Sequence, residues 1–181
     1  MKISLLVLKK HLEGVFAEKY FERIRKHGDV FLWDEENFED RAKVLDFVKD
    51  SDIIITSWHS PVIDKEILDA CPNLQAVLHA AGSIKPIMSD ELASREDIRL
   101  TASAAAIGEG VAETALGFAI AECMGAFTMP SYTRAGEWNA HNASEVIDFY
   151  DIKVGIISAG FVGRHMIKLL RNFHVDILVY D

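Results

Sequence analysis

The chain is short of several residue patterns that would identify large classes of protein. It has two cysteines, Cys71 and Cys123, far apart and outside any CxxC pair. That spacing suggests neither a zinc knuckle nor a disulfide framework, so reduced thiols in the cytoplasm are the expected state. Seven histidines, His11, His27, His59, His79, His141, His165 and His174, form no HExxH or other ligand-spaced pair, and no metal site is expected. Positive charge is scarce: 19 Lys and Arg face 28 Asp and Glu, a formal charge of −9. This argues against nucleic acid or an anionic membrane as a general partner, since both need a basic face. The apolar start, Ile3 to Leu8, is too short for a signal peptide and reads as a buried strand. Gly108 to Phe127 is long enough to span a bilayer, but Glu109, Glu113 and Glu122 interrupt it, so a buried helix is expected instead. There is no internal repeat and no low-complexity tract.

What is present is a rhythm. The 181 residues are half hydrophobic and 26% charged, ordinary globular composition with enough length for a sizeable core. Apolar runs at Ile3–Leu8, Val30–Leu32, Asp52–Thr56, Leu74–Leu78 and Ile98–Thr101 alternate with segments of helical period. The first carries Val15, Phe16, Tyr20 and Ile24 in one helix; the second carries Phe38, Ala42, Leu45 and Val48. Asp64 and Ser89 stand where they can cap short helices. Five strands joined by crossovers imply a parallel sheet and an α/β fold. The apolar Gly108–Phe127 helix must be covered on nearly every side, which places it between two domains. Pro130, Gly136, Trp138, Asn139 and Asn142 suggest turns, so the boundary is set at 128/129: residues 1–128 form one domain and 129–181 begin another. Trp58 and Trp138 read as packing anchors.

The most informative stretch runs from Val154 to Arg164. Ser158-x-Gly160-x-x-Gly163 is a dinucleotide fingerprint with serine in place of the first glycine. Gly160 lets a pyrophosphate approach the backbone, and Gly163 lets helix and strand pack closely. The N–H groups of Phe161 and Val162 would face the phosphates at the positive end of the following helix. A Cβ on Ser158 strains a tight turn. Asp181, 18 residues beyond Gly163, ends the next strand. A carboxylate there accepts from adenosine ribose hydroxyls and repels a 2′-phosphate, which favours NAD over NADP. The same pattern also serves as a purely structural turn, but the strand before it and the amphipathic helix after it favour the nucleotide. Arg164 reads either as a pyrophosphate ligand or as a solvated helix arginine.

Ala76-Val77-Leu78-His79-Ala80-Ala81-Gly82-Ser83-Ile84-Lys85-Pro86, then Thr101 to Glu113, together with the Val154–Asp181 unit and Thr56-Ser57-Trp58, resemble the D-isomer-specific 2-hydroxyacid dehydrogenase family. That family includes phosphoglycerate, glyoxylate and D-lactate dehydrogenases. The resemblance implies a flavodoxin-like parallel-sheet substrate domain followed by a Rossmann NAD-binding domain, here incomplete. It also implies NAD-dependent hydride transfer between NAD(H) and a small 2-hydroxy or 2-oxo acid, with the substrate carboxylate held by the backbone of Ala81, Gly82 and Ser83. A tight structural turn is the other reading of that loop. Ser83-Ile84-Lys85-Pro86 stands where the family commonly has Gly-Val-Asp-Asn, and Ile107 where it often has asparagine.

The family's catalytic arginine, carboxylate and histidine have no counterpart before Asp181, so none is assigned here, and the chain is expected to be truncated and inactive alone. His59 and His79 both follow strands and could reach one cleft, though a hydrogen-bonded or exposed histidine is the commoner use of such a position. Exposed Ile177-Leu178-Val179 on an unfinished sheet predicts a homodimer. The alternative function is a non-catalytic remnant used for ligand binding or assembly.

Overall fold

The computed structural model describes residues 1–137 and 146–181. Trp138, Asn139, His141 and Asn142, with the expectations placed on them, lie outside the described residues. The chain divides into two compact units, Met1–Ala104 and Ala105–Asp181.

The first unit contains β1 (Lys2–Leu6), α1 (Lys9–Val15), α2 (Glu18–Arg25), β2 (Asp29–Leu32), α3 (Arg41–Val48), β3 (Ile53–Thr56), α4 (Lys65–Ala70), β4 (Ala76–His79), a 3-10 turn at Lys85–Ile87, α5 (Asp90–Ala93) and β5 (Arg99–Ala102). All five strands are parallel, in the order β2-β1-β3-β4-β5. This is the expected flavodoxin-like winding. The strands lack polar–apolar alternation because both faces of the sheet are covered. Leu6 and Ile54 lie in one core cluster with Val44, Val48, Ile67 and Val77, while their neighbours Leu5 and Ile55 join Ile3, Val7, Leu12 and Phe21 in the other. The two-residue period of a strand divides adjacent apolar side chains between the two faces. Each fully buried Leu or Ile contributes about 1.5–3 kcal/mol by leaving water.

The helix starts are as expected where a short polar side chain precedes them. Asp64 accepts from the Ile67 N–H at 3.2 Å, and Ser89 from the Leu92 N–H at 3.0 Å. The first helix differs from expectation, since it is two helices broken at Phe16, whose backbone is extended. The break rephases the second piece. Phe21 becomes its buried residue, the Phe16 ring packs 5.6 Å from the Phe21 ring, and Tyr20 is left 41% exposed. In α3 the buried positions are Val44 and Val48, and Ala42 is exposed. Trp58, expected as an anchor, is 49% exposed; among the described residues Trp33 packs instead, against Phe38 and Phe47.

The second unit holds α6 (Ala104–Cys123), α7 (Met129–Arg134), β6 (Ile152–Ile157), α8 (Phe161–Leu170) and β7 (Val175–Tyr180). β6 and β7 pair in parallel from Ile152↔Val175 to Ile157↔Tyr180, with α8 as the crossover. Met166 and Leu170 of α8 pack with Ala112, Leu116, Val154, Ile156, Val175 and Ile177. Because Ala112 and Leu116 belong to that cluster, α6 groups with the second unit, and division by contact falls at 104/105 rather than at 128/129. Full cover of α6 was expected, yet only its Gly108 and Ala112 are buried. Small residues on one side let α8 come close, whereas Val111 and Phe118 find no cover among the described residues. By length and composition alone α6 is the one described helix that could cross a membrane. On the paired strands Ile157 and Tyr180 are 86% and 79% exposed, and Leu178 and Val179 are exposed too.

Candidate functional site

Two loops carry the candidate chemistry, one in each unit. The first follows β4. At the base of this loop the Ala80 N–H donates to the Thr56 carbonyl at 2.8 Å, and the Ser103 N–H to the carbonyls of His79 at 3.2 Å and Ala81 at 3.0 Å. A peptide plane points its C=O and the next N–H in opposite directions. Turning the Ala81 carbonyl toward Ser103 therefore aims the Gly82 N–H away from β5. Among the described residues nothing accepts from the main-chain N–H of Ala81, Gly82 or Ser83. Ala81 is buried, Gly82 is half-buried and Ser83 is exposed. A Cβ at Gly82 would meet nothing within 4 Å, so packing does not demand glycine there and the amide stays open to approach. Unpaired amides at the carboxyl end of a parallel strand are free to meet an anion.

His79 and His59, both considered for one cleft, have separate surroundings. His59 is exposed, has a left-handed φ of 63°, and sits with its ring 5.4 Å from that of His11. His79 is 5% exposed, and its Nδ1 lies 2.9 Å from the Thr56 hydroxyl. Burial pushes its pKa below the ordinary histidine value, with the Ser83 main chain opposing. Thr56 and His79 are register partners on β3 and β4. Reasoning from spacing missed this bridge, because the pair is separated by 23 residues and meets only once the strands are aligned.

The second loop joins β6 to α8. Ser158 has a φ of 75°, the left-handed backbone that the missing fingerprint glycine would adopt without strain. Its N–H donates to the Tyr180 carbonyl at 2.7 Å. Gly160 caps α8 with no side-chain bond, and its carbonyl takes the Arg164 N–H at 3.0 Å. The N–H groups of Phe161, Val162 and Gly163 find no acceptor among the described residues, as at any helix start. The two glycines have the separate roles expected of them. A Cβ at Gly163 would lie 2.0 Å from the Ser158 carbonyl oxygen, so only glycine lets helix and strand pack this closely. At Gly160 it would meet only the Ser158 Oγ at 3.8 Å, leaving the outer face open. Asp181 Oδ1 accepts from the Ala159 N–H at 2.9 Å, which sets the carboxylate beside the turn. Arg164 Nε donates to the Ala159 carbonyl at 2.6 Å, bracing the turn. No group of three His, Cys, Asp or Glu among the described residues could hold a metal ion.

The second of these loops, a glycine-gated helix start after a parallel strand, has the build of a dinucleotide-binding turn. Residues 116–181 match the NAD binding domain of the D-isomer specific 2-hydroxyacid dehydrogenases. Glyoxylate reductase from Thermococcus kodakarensis is 28% identical over 179 residues, covering 96% of this chain and 53% of that protein. Glyoxylate reductase from Thermococcus gammatolerans has the same identity and coverage. A phosphoglycerate oxidoreductase structure from Rhizobium etli superposes with a TM-score of 0.78 at 22% identity, over 100% of this chain and 56% of that one. The family match covers residues 116–181, and the likeness to these relatives runs along nearly the whole chain. The chain spans about half the length of the curated relatives it matches.

Proposed function

We propose that this chain supplies the substrate-carboxylate loop and the diphosphate-binding turn of an NAD-dependent oxidoreductase acting on a small 2-hydroxy or 2-oxo acid. The observation that carries the reading is the pair of unpaired amide sets, at Ala81–Ser83 and at Phe161–Gly163, each just past the carboxyl end of a parallel strand. The residues present fit the dinucleotide. Open amides at the start of α8 meet a diphosphate at the positive end of the helix, and Gly160 leaves room for it. Asp181 keeps its second carboxylate oxygen for a ribose hydroxyl and repels a 2′-phosphate, favouring NAD over NADP. NAD, when bound, supplies or accepts the hydride. Ala81, Gly82 and Ser83 hold the acid's carboxylate without any side-chain charge.

The test is an amide-resolved NMR titration of the 181-residue chain. NAD is expected to shift Gly160 to Gly163, more strongly than NADP does, and glyoxylate to shift Ala81 to Ser83. Silence at Phe161–Gly163 with millimolar NAD would refute the cofactor half, and silence at Gly82 the substrate half.

Two further readings belong here. The exposed Leu178, Val179 and Tyr180 on β7 support a homodimer, which light scattering at the monomer mass would contradict. Reduced Cys71 and Cys123 support a cytoplasmic setting. A binding or assembly role without turnover is favoured by the lack of an assigned acid–base pair in the described residues; NADH-dependent reduction of glyoxylate by this chain would exclude it.

A further inference from the structure

We infer that the cleft outside the carboxyl ends of β2, β1 and β3 is a binding site for a free α-amino acid, its ammonium held by Glu36 and Glu39 and its carboxylate by Lys10 and His59. The cleft shares no residue with the loops at Ala81–Ser83 and Phe161–Gly163, and it does not rest on the reading given to them.

Strand order fixes where the cleft stands. The chain passes from β1 to β2 on one side and then to β3 on the other, which leaves a crevice at the carboxyl ends where the two crossovers part. A cleft of about 410 Å³ opens there, lined by Lys10 past β1, by Glu36, Phe38 and Glu39 past β2, by His59 past β3, and by Leu8. That is room for a small molecule. Carboxylates come from the β2 side, and the ammonium and the imidazole from β1 and β3. Opposite signs on opposite sides suit a ligand with an ammonium at one end and a carboxylate at the other. Buried Leu8 and the half-buried Phe38 add apolar surface, which favours an aliphatic side chain.

Charges beside the cleft are paired, and those lining it are not. Lys9 meets Asp34 at 2.9 Å and Lys43 meets Glu35 at 2.7 Å. Among the described residues the Lys10 ammonium and the Glu36 and Glu39 carboxylates have no hydrogen bond or ion pair. Both rims are also braced in advance. Trp33, 4% exposed, donates from Nε1 to the Asn37 carbonyl at 3.1 Å, and its ring stacks 5.3 Å from that of Phe38. On the opposite rim Ser60 Oγ accepts from the Ser57 N–H at 2.9 Å and donates to the Leu6 carbonyl at 2.6 Å, tying the turn that carries His59 to the end of β1. His11 Nδ1 lies 3.2 Å from the Trp58 carbonyl oxygen, joining the segments that bear Lys10 and His59. A cleft held in shape this way gives up little ordering entropy when a ligand enters.

The probe is L-leucine, titrated into the 181-residue chain and followed by amide-resolved NMR. Millimolar leucine should shift Lys10, Asn37, Phe38, Glu39 and His59 along one saturable curve. Isocaproate keeps the carboxylate and side chain, and isoamylamine keeps the amine and side chain; each should bind at least about tenfold more weakly than leucine. Lys10→Met, and Glu36→Gln combined with Glu39→Gln, should each weaken leucine about tenfold, and Lys10→Arg should keep most of the affinity. These side chains are exposed, so the variants keep the fold. Silence at the cleft residues, or equal binding of leucine and either half-molecule, would overturn the assignment. So would unchanged affinity in Lys10→Met. Leucine shifts confined to Ala81–Ser83 would overturn it too, while leaving the reading of that loop as a carboxylate site in place.

Discussion

Swapping glycine for a larger residue, or the reverse, at the two ends of the diphosphate turn should act in opposite directions. Ser158 holds a left-handed φ of 75°, which costs a residue with a Cβ roughly 1–2 kcal/mol. Ser158→Gly removes that strain but adds about 0.5–1 kcal/mol of unfolded-state entropy, so a net stabilisation of about 0.5–1 kcal/mol is expected. Gly163→Ala places a methyl 2.0 Å from the Ser158 carbonyl oxygen and 3.4 Å from Ile156 Cγ2. Main chain has to move about 1 Å to clear it, a cost near the top of the overpacking range, about 3 kcal/mol. Helix propensity returns about 1 kcal/mol, leaving a net loss near 2 kcal/mol. Hydrogen exchange by mass spectrometry on peptides from β6 and α8 reads this region alone. Protection should rise about two- to fivefold in Ser158→Gly and fall about thirtyfold in Gly163→Ala, at 1.4 kcal/mol per factor of ten. Faster exchange in Ser158→Gly, or no change in Gly163→Ala, would refute the steric account of the turn.

Asp64 both caps α4 and pairs with Arg41, whereas Glu66 only joins the same arginine. Asp64→Ala should cost about 1.5 kcal/mol in a urea melt, about 1 from the cap, and Glu66→Ala about 0.5 or less because the pair is partly exposed. Asp97, bonded by Arg95, is held down to about 2 from an ordinary 3.8. Its contribution to stability is therefore complete above pH 3.8 and is lost as pH falls to about 2. An NMR titration should show that midpoint, returning toward 3.8 in Arg95→Gln. Cys71 is fully buried, donates to the Val48 carbonyl at 2.9 Å, and has its thiol pKa pushed up by burial. A thiol reagent should label Cys123 in the native chain and reach Cys71 only in denaturant; rapid labelling of both would contradict the packing.

Strands were readable from sequence because a sheet covered on both faces needs unbroken apolar runs, and Ile53-Ile54-Ile55 has no other plausible use. Asp64 and Ser89 were readable as caps because the chemistry is local. The glycine roles at 160 and 163 were readable for the same reason. Phe16 was not readable as a break, since neither Gly nor Pro marks it and helical spacing continues through it. The exposed face of α6 was hidden for a different reason: apolar composition says that cover is needed, not which residues provide it. The Thr56–His79 hydrogen bond depends on strand register, and no spacing along the chain encodes that.

In both loops the atoms that would touch ligand belong to the polypeptide itself. Residues such as Ala81, Phe161 and Val162 can thus be exchanged over generations while the same hydrogens stay in place. Damage is concentrated at the few positions where the path leaves no room for a side chain, Gly163 among them. An identity of 28% to a full-length relative leaves most side chains different while the main-chain path can stay the same.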